Sequence, residues 1–591
     1  MVVVCRSPHT PGAMRMLRGG LRWPRGIPTL PRLFRRSQKA FATLNCSGYE
    51  AIGRCQQEVP EHFNFASEVL DQWAQIEKER QGPSNPALWW INGKGDEIQW
   101  SFEELSFLSR KVANVLSGPC SLQRGDRVLV ILPRVPEWWL LNLACMRTGV
   151  TIIPGTVQLT APDIAYRLAA SRAKCIVTTD VLAPAVDSLV PKCQFLKTKL
   201  IVSGSSRAEW LNFSDLLKAA PSAHSCVKTK AQDPMAIYFT SGATGSPKMV
   251  EHSHGSIGLG SFLCGRYWMD LTASDIMWNL SDTAWVKAAF GSVFGPWFQG
   301  TCVFVHAMPH FDSGAALETL CRYPVTTLCG SPTAYRMLVQ HDLTRYAFKA
   351  LKHCLTAGEP LNPEVLAQWE SQTGLTIYEG YGQTETGFIC ANMKGMKIKP
   401  GSLGKAAPNY DVQIVDETGS VLPPGTEGDI AIKVDAKRPF TFFTQYLDDP
   451  VKTASTVRGN FYITGDRGSM DEDGYIWFMG RSDDVIISSG YRIGPFEIES
   501  ALIEHPAVLE AAAVSSPDAT RGEVVKAFVV LSHSFKSQDP EKLASELQEH
   551  VKKVTAPYKY PRKIEFVQQL PKNIAGKIRR NELRKKEWGH V

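Results

Sequence analysis

From Arg127 the chain alternates short, strongly apolar runs with longer helix-like stretches, and this order constrains the fold more than any other feature. Arg127–Leu132 (RVLVIL) predicts a buried strand. Pro136 opens a helical pattern that runs through Met146, and Val150–Ile153 predicts the next strand. Lys174–Thr178, Met235–Thr240, Thr326–Leu328 and His353–Leu355 repeat the theme, several of them followed by small residues and then a helix. Such an order predicts parallel α/β units, whose ligand sites lie beyond the carboxyl ends of the strands. Residues 401–435 differ: Asp411–Val415 and Asp429–Val434 alternate around the turn-forming Glu417–Ser420, which predicts an antiparallel patch or small barrel. After about Asp483 the pattern becomes α+β, with apolar runs at 508–514 and 524–531 and a charged helix over Pro540–Lys553.

At 591 residues the chain exceeds the size at which a single core keeps growing, so several domains are expected. The most apolar region, Val128 to Ile153, is interrupted by Arg134, Glu137 and Arg147, and no run reaches the roughly 20 apolar residues that span a bilayer. The formal charge of +7 is unevenly placed. Residues 1–49 hold eight Arg and one Lys and meet no acid before Glu50; without those nine, 56 basic residues face 58 acidic ones. A near-neutral body argues against nucleic acid as a partner. The acid-free basic head fits a mitochondrial targeting segment, residues 1–46, and hence a matrix enzyme; a basic tail or phosphate-binding arm would share its composition. The 14 cysteines include no CxxC pair, so neither a disulfide framework nor a zinc site is expected. His252 and His254 are spaced too closely for the usual helical metal pair.

Chemistry concentrates in a few loops. Tyr238-Phe-Thr-Ser-Gly-Ala-Thr-Gly-Ser-Pro-Lys248 carries a strand into a loop with Gly242 and Gly245, several hydroxyls and a lysine. Glycines let backbone N–H groups approach phosphate oxygens, the hydroxyls donate, and Lys248 adds charge. The spacing is not that of a Walker A loop. Tyr381-Gly-Gln-Thr-Glu-Thr386 follows a strand-like Leu375–Tyr378, and the oxygens of Thr384 and Glu385 suit a hard cation such as the Mg²⁺ of a nucleotide. Tyr462-Ile-Thr-Gly-Asp466 sets a carboxylate after a short strand, where it suits a ribose hydroxyl pair. Gly480-Arg-Ser-Asp-Asp484 follows, and Pro571-Lys-Asn-Ile-Ala-Gly-Lys577 lies far downstream. Each alone also reads as an ordinary turn; their joint order does not.

From about residue 60 to the end these motifs resemble the adenylate-forming superfamily. Ser281-Asp-Thr-Ala-Trp285, Ser489-Gly-Tyr-Arg492, Arg521-Gly-Glu-Val-Val-Lys526 and Thr555-Ala-Pro-Tyr-Lys-Tyr560 are similar to the medium-chain acyl-CoA synthetases of animal mitochondria. The resemblance implies an α/β protein. Residues 47–483 would form a large domain of two α/β subdomains plus a small β-barrel, and residues 484–591 a smaller, mobile α+β domain. It implies an acid–thiol ligase that joins a medium-chain or aromatic acid to AMP and passes the acyl group to coenzyme A, with Mg²⁺ accompanying ATP.

By the same resemblance Thr240, Ser241, Gly242, Ala243, Thr244, Gly245, Ser246, Pro247 and Lys248 would cover the ATP phosphates. Glu379, Gly380, Tyr381, Gly382, Gln383 and Thr384 would line adenine and α-phosphate, with Glu385 and Thr384 at the metal. Asp466 and Arg481 would hold the ribose, Arg492 would contact adenylate or phosphate, and Asp483 would be the hinge. Lys577 would serve the first half-reaction, with Glu385 and Lys248 completing the catalytic set. Coenzyme A would meet Gln158, Ser489, Gly490, Tyr491, Arg521, Lys552, Tyr560, Pro561 and Arg562, where the basic groups match its phosphates. Of the aromatic cluster Trp285, Phe290, Phe294, Trp297 and Phe298, Trp285 is assigned to the acyl pocket and the others read equally as core. The sequence departs from the family where Ala243 replaces a common hydroxyl residue, and where Asn573 and Ala575 stand in the lysine loop. A noncatalytic nucleotide- or acyl-binding homologue and a carrier-loading adenylation domain are the rival readings.

Overall fold

A computed structural model describes residues 46–79, 85–189, 193–240, 247–434, 438–488, 491–518, 522–555, 557–572 and 577–589. Ser241–Ser246, Ser489, Gly490, Arg521, Asn573 and Ala575 therefore lie outside the described residues, as does the basic head before Cys46. Leu44–Val591 forms one compact unit.

Two large sheets carry that unit. In the eight-stranded sheet, Thr151–Gly155, Arg127–Ile131, Cys175–Thr178 and Thr198–Ile201 run parallel in the middle. Pro234–Thr240 joins them, then turns back as the antiparallel Lys248–Ser253, and Gln445–Tyr446 closes that edge. Val128–Ile131, Thr151–Gly155 and Cys175–Thr178 are wholly buried, which is why they read as runs rich in Val, Ile and Leu. Residues Pro136–Thr148 form the connecting helix, with proline in its first turn and Gly149 in the left-handed conformation at its end.

The nine-stranded sheet has Ile377–Gln383, His353–Ala357, Thr327–Gly330, Ile276–Asn279, Cys302–His306 and Leu88–Ile91 in parallel succession. Gly387–Ala391 returns antiparallel to Ile377–Gln383. The strand there is longer than the sequence reading, extending through the glycines to Gln383. Gly382 is required for that return: a Cβ on it would lie 1.9 Å from the carbonyl oxygen of Gly387.

A third, antiparallel sheet pairs Val412 with Ile432 and joins Gly428–Lys433 to Phe461–Met470 and Ile476–Arg481. The expected small barrel is not closed by the described pairings. The outer edge of Val412–Val415 is taken instead by its own turn, through a Val415–Val421 bridge and the Leu422 N–H on the Ile414 carbonyl. Asp466 does not follow a short strand, as its sequence context suggested; it sits within the ten-residue strand Phe461–Met470. The C-terminal part has its own sheet and core. Val508–Asp518 pairs with Gly522–Leu531, and Leu543, Leu547 and Val551 of helix Pro540–Val554 pack against it. No helix among the described residues is long and apolar enough to cross a membrane. The whole is a two-domain α/β architecture with a large N-terminal and a smaller C-terminal domain.

Candidate active site

A cavity of about 2240 Å³ opens where the carboxyl ends of the parallel strands face the C-terminal segment. Thr240, Lys248, Glu379 through Glu385, Asp466, Arg481, Asp483 and Lys577 all line it. Residues scattered over more than 300 positions of sequence thus share one space, as strand termini in open α/β sheets allow.

The hairpin Pro234–Thr240/Lys248–Ser253 places Thr240 directly across from Lys248. The Lys248 ammonium lies 5.4 Å from the centre of the Tyr446 ring. Desolvation, with help from nearby Lys452, holds its pKa below the ordinary lysine value, while Glu385 works the other way. The Pro247 carbonyl accepts the Tyr166 hydroxyl at 3.1 Å.

The turn after Ile377–Gln383 is fastened from several sides. His252, fully buried, donates from Nε2 to the Thr384 carbonyl oxygen at 2.6 Å, and its Nδ1 lies 2.9 Å from the Ser256 hydroxyl. A carbonyl only accepts, so Nε2 carries the proton and the neutral ring takes the Ser256 hydrogen at Nδ1. Burial pushes the pKa of His252 down to about 4. The Tyr446 hydroxyl donates to Glu385 Oε1 at 2.8 Å, and the Phe443 N–H to the Glu385 carbonyl at 2.7 Å.

Asp466 is buried and accepts from the Tyr381 hydroxyl at 2.6 Å and Gln383 Nε2 at 2.9 Å. Arg481, its cross-strand partner, approaches to 3.5 Å. Burial raises the pKa of this carboxyl, with Arg481 and Tyr381 opposing. Glu379 has no such cation: it accepts the Leu361 N–H at 3.0 Å, and burial raises its pKa to about 8. Its carboxyl is therefore mainly protonated at neutral pH.

The C-terminal segment meets this site around Asp483. Arg481 Nε lies 3.3 Å from Asp483 Oδ1, and Arg584 donates to the Asp483 carbonyl at 2.7 Å and to Asp484 Oδ1 at 3.0 Å. Lys577 is near enough for its charge to lower the pKa of Asp466.

The residues assigned to coenzyme A are divided. Gln158 lines the cavity, whereas Tyr491, Lys552, Tyr560, Pro561 and Arg562 do not. They lie on the C-terminal domain, in two groups. Tyr491 stacks on Tyr558 at 4.3 Å; Lys552 and Arg562 lie 4.3 and 4.9 Å from the Tyr560 ring centre; Arg562 also donates to the Tyr560 hydroxyl at 2.8 Å. Pro561 accepts from Gln548 at 3.0 Å. Arg492 pairs by backbone with Ile487.

Trp285 lines the cavity and its indole N–H has no hydrogen-bond partner among the described residues. Phe290 lines it too, with Trp268 and Phe388, while Phe294, Trp297 and Phe298 are core. Sequence reasoning missed His252, Tyr446 and Lys287. Only Lys287 had a local signal: a lysine inside an aromatic cluster.

A hairpin carrying Lys248, a buried carboxylate beside an arginine, and a lysine from the smaller C-terminal domain share one cavity, the arrangement of an adenylate-forming enzyme. The profile of the AMP-binding enzyme family matches residues 75–436, and that of the AMP-binding enzyme C-terminal domain matches residues 497–577. Acyl-coenzyme A synthetase ACSM4, mitochondrial, of Mus musculus is 65% identical over 95% of this chain and 97% of its own length. Acyl-coenzyme A synthetase ACSM3, mitochondrial, of Homo sapiens is 62% identical over 94% and 95%. Among solved structures, an anthranilate CoA ligase in complex with anthranoyl-AMP superposes with a TM-score of 0.81 at 28% identity, covering 90% of this chain and 98% of that one. The ATP-bound MatB of Rhodopseudomonas palustris gives 0.77 at 29%, covering 88% and 100%. The chain belongs to the ACSM acyl-coenzyme A synthetase family of the adenylate-forming superfamily.

Proposed function

We propose that this cavity joins a medium-chain or aromatic carboxylic acid to AMP and that the C-terminal domain then presents coenzyme A to the product. The chain is an AMP-forming acid–thiol ligase acting through an acyl-adenylate. A substrate carboxylate oxygen attacks the α-phosphorus of ATP and pyrophosphate leaves. The coenzyme A sulfur then attacks the acyl carbonyl and AMP leaves with the oxygen that bridged carbon and phosphorus.

The protein's work is positioning and charge compensation. Lys248 and the loop from Thr240 through Pro247 would hold the phosphates, and Gly380 through Gln383 would line adenine and α-phosphate. Asp466 would accept ribose hydroxyls, kept in place by Tyr381, Gln383 and Arg481. Lys577 would offset charge at the α-phosphate. Mg²⁺ carried by ATP would neutralise phosphate charge. Thr384 and Glu385 suit it, because a nucleotide-borne Mg²⁺ takes only one or two protein oxygens. Among the described residues no cluster of three or more His, Cys, Asp or Glu side chains forms a metal cage. Trp268, Trp285, Phe290 and Phe388 would line the acyl arm.

One observation carries the reading: Lys577 shares a cavity with Lys248 and Asp466, while the tyrosines and lysine assigned to coenzyme A stay outside it. That is the arrangement wanted for adenylation. Thiol transfer would then require the C-terminal domain to turn near Asp483 and bring those residues towards Gln158. The acid-free basic head would direct the enzyme to the mitochondrial matrix.

Pyrophosphate release should be measured with butyrate to decanoate and with benzoate, with and without coenzyme A, followed by thioester detection. Release without coenzyme A in a first turnover, and thioester with it, is expected. Release without free thioester would favour the carrier-loading reading, and no release with any acid the noncatalytic one.

A further inference from the structure

Lys287 is a charged group that the adenylation chemistry above leaves unused. It lies on the short helix Val286–Ala289 directly after Trp285, and its backbone carbonyl accepts Asn279 Nδ2 at 3.1 Å. Its Nζ donates to the Gly330 carbonyl at 2.8 Å and to the Ala357 carbonyl at 2.9 Å. These oxygens end two adjacent parallel strands, Thr327–Gly330 and His353–Ala357. The residue is partly accessible and lines the cavity, as do Trp268, Phe290 and Phe388.

An ammonium has three N–H donors, and two are taken by neutral oxygens. Among the described residues Lys287 makes no ion pair. Glu359, whose charge reaches it, is itself held by the Thr333 hydroxyl at 3.0 Å and by Arg336 at 3.9 Å. Burial lowers the pKa of Lys287, and the charge of Lys577 adds to that effect. Lys287 and Lys577, from opposite domains, thus line one cavity. A desolvated cation without a counter-charge is costly, and a ligand anion removes that cost.

We propose that Lys287 is a resident cation that receives the carboxylate of the acid substrate. The inference rests on the acid-activating function set out above. Lys577 reaches the cavity from the mobile domain, whereas Lys287 is fixed to the sheet of the large domain. The acid can therefore be seated before the small domain closes.

The test compares an acid with its neutral isostere. Octanoate and octanamide, or benzoate and benzamide, are measured as substrate and as competitive inhibitor, for the wild type and for Lys287→Gln and Lys287→Arg. Gln keeps a donor for the strand-end carbonyls but has no charge; Arg keeps the charge. In Lys287→Gln the KM for the acid should rise about 10- to 100-fold, the range for losing a hydrogen bond to a charged group. The KM for ATP should stay within about threefold of wild type, a change worth well under 1 kcal/mol. The preference for acid over amide should collapse in Gln and persist in Arg. Thermal melting confirms that both variants fold. A Gln variant that keeps the acid–amide gap would overturn the proposal, as would a rise confined to the KM for ATP, which would place the phosphate there instead. Should Gln fail to fold, a folded Arg variant that keeps the gap supports the proposal and one that loses it overturns it. Wild-type protein that activates no acid would defeat the underlying function, a distinct result.

Discussion

The His252 imidazole donates from Nε2 to the carbonyl oxygen of Thr384 at 2.6 Å, which ties the strand bearing Lys248 to the turn bearing Glu385. Two parts of the site separated by 132 positions in sequence are thereby joined by one hydrogen bond. Replacing His252 by Phe leaves a buried carbonyl without its donor, at a cost of about 1–3 kcal/mol. His252→Phe should slow adenylate formation about tenfold or more. His252→Gln, whose Nε2 can reach the same oxygen, should stay within a few-fold of wild type. Single-turnover pyrophosphate release decides it; equal rates for Phe and wild type would show that the tie does not matter.

The buried imidazoles set an acid limit. His252 and His254 are both held near pKa 4, against 6.5 for an ordinary histidine. Between those values the unfolded chain binds protons that the native protein does not, so stability falls as pH falls from about 6.5 towards 4. Each group contributes up to about 3 kcal/mol over that window. Denaturant titrations should show this slope, and His254→Phe should flatten it.

Glu379 acts in the opposite sense. Its pKa is raised from 4.5 to about 8, so the native state keeps a proton that the unfolded chain releases. The stability associated with that proton is complete below pH 4.5 and lost as pH rises to about 8. Glu379→Gln should grow more stable relative to wild type across that range and keep a constant advantage above it. A difference independent of pH would mean that the carboxyl is ionised throughout.

Asp466 accepts hydrogen bonds from Tyr381 and Gln383 and pairs with Arg481, and Asp466→Asn leaves that set facing a neutral amide. The KM for ATP should rise about 10- to 100-fold, as for other charge-assisted contacts, with the KM for the acid little changed. Steady-state kinetics with each substrate varied separately checks the split.

Lys577 should matter in one half-reaction only. Lys577→Ala should cut adenylate formation by orders of magnitude yet largely spare thioester formation from supplied acyl-AMP. Equal loss in both halves would contradict a lysine that leaves the cavity between steps.

The central strands were legible because a strand buried on both faces is mainly apolar, as Val128–Ile131 and Cys175–Val177 are. Strand ends were less so: Ile377–Gln383 continues through Gly380 and Gly382, residues that read as loop. Asp466 was found by its neighbours, but the strand passes through the positive-φ Gly465 and continues beyond Asp466, where Arg467 and Gly468 still pair with Gly480 and Phe478. His252 carried no local mark of its role, since its partner lies in a turn of the other large sheet. Tyr446 was invisible for the same reason, reaching Glu385 only through the pairing of Gln445–Tyr446 with the hairpin. The separation of Gln158 from Tyr560 and Arg562 is a matter of how the C-terminal domain is placed, which spacing along a chain does not encode.

An isotope experiment tests the central claim most directly. The acid is supplied with both carboxylate oxygens as oxygen-18, ATP and coenzyme A are added, and the products are weighed by mass spectrometry. Attack of the carboxylate on the α-phosphorus, followed by thiol displacement, leaves one labelled oxygen in AMP, one in the thioester and none in pyrophosphate. Unlabelled AMP, or label in pyrophosphate or in phosphate released with ADP, would contradict an acyl-adenylate formed in this cavity.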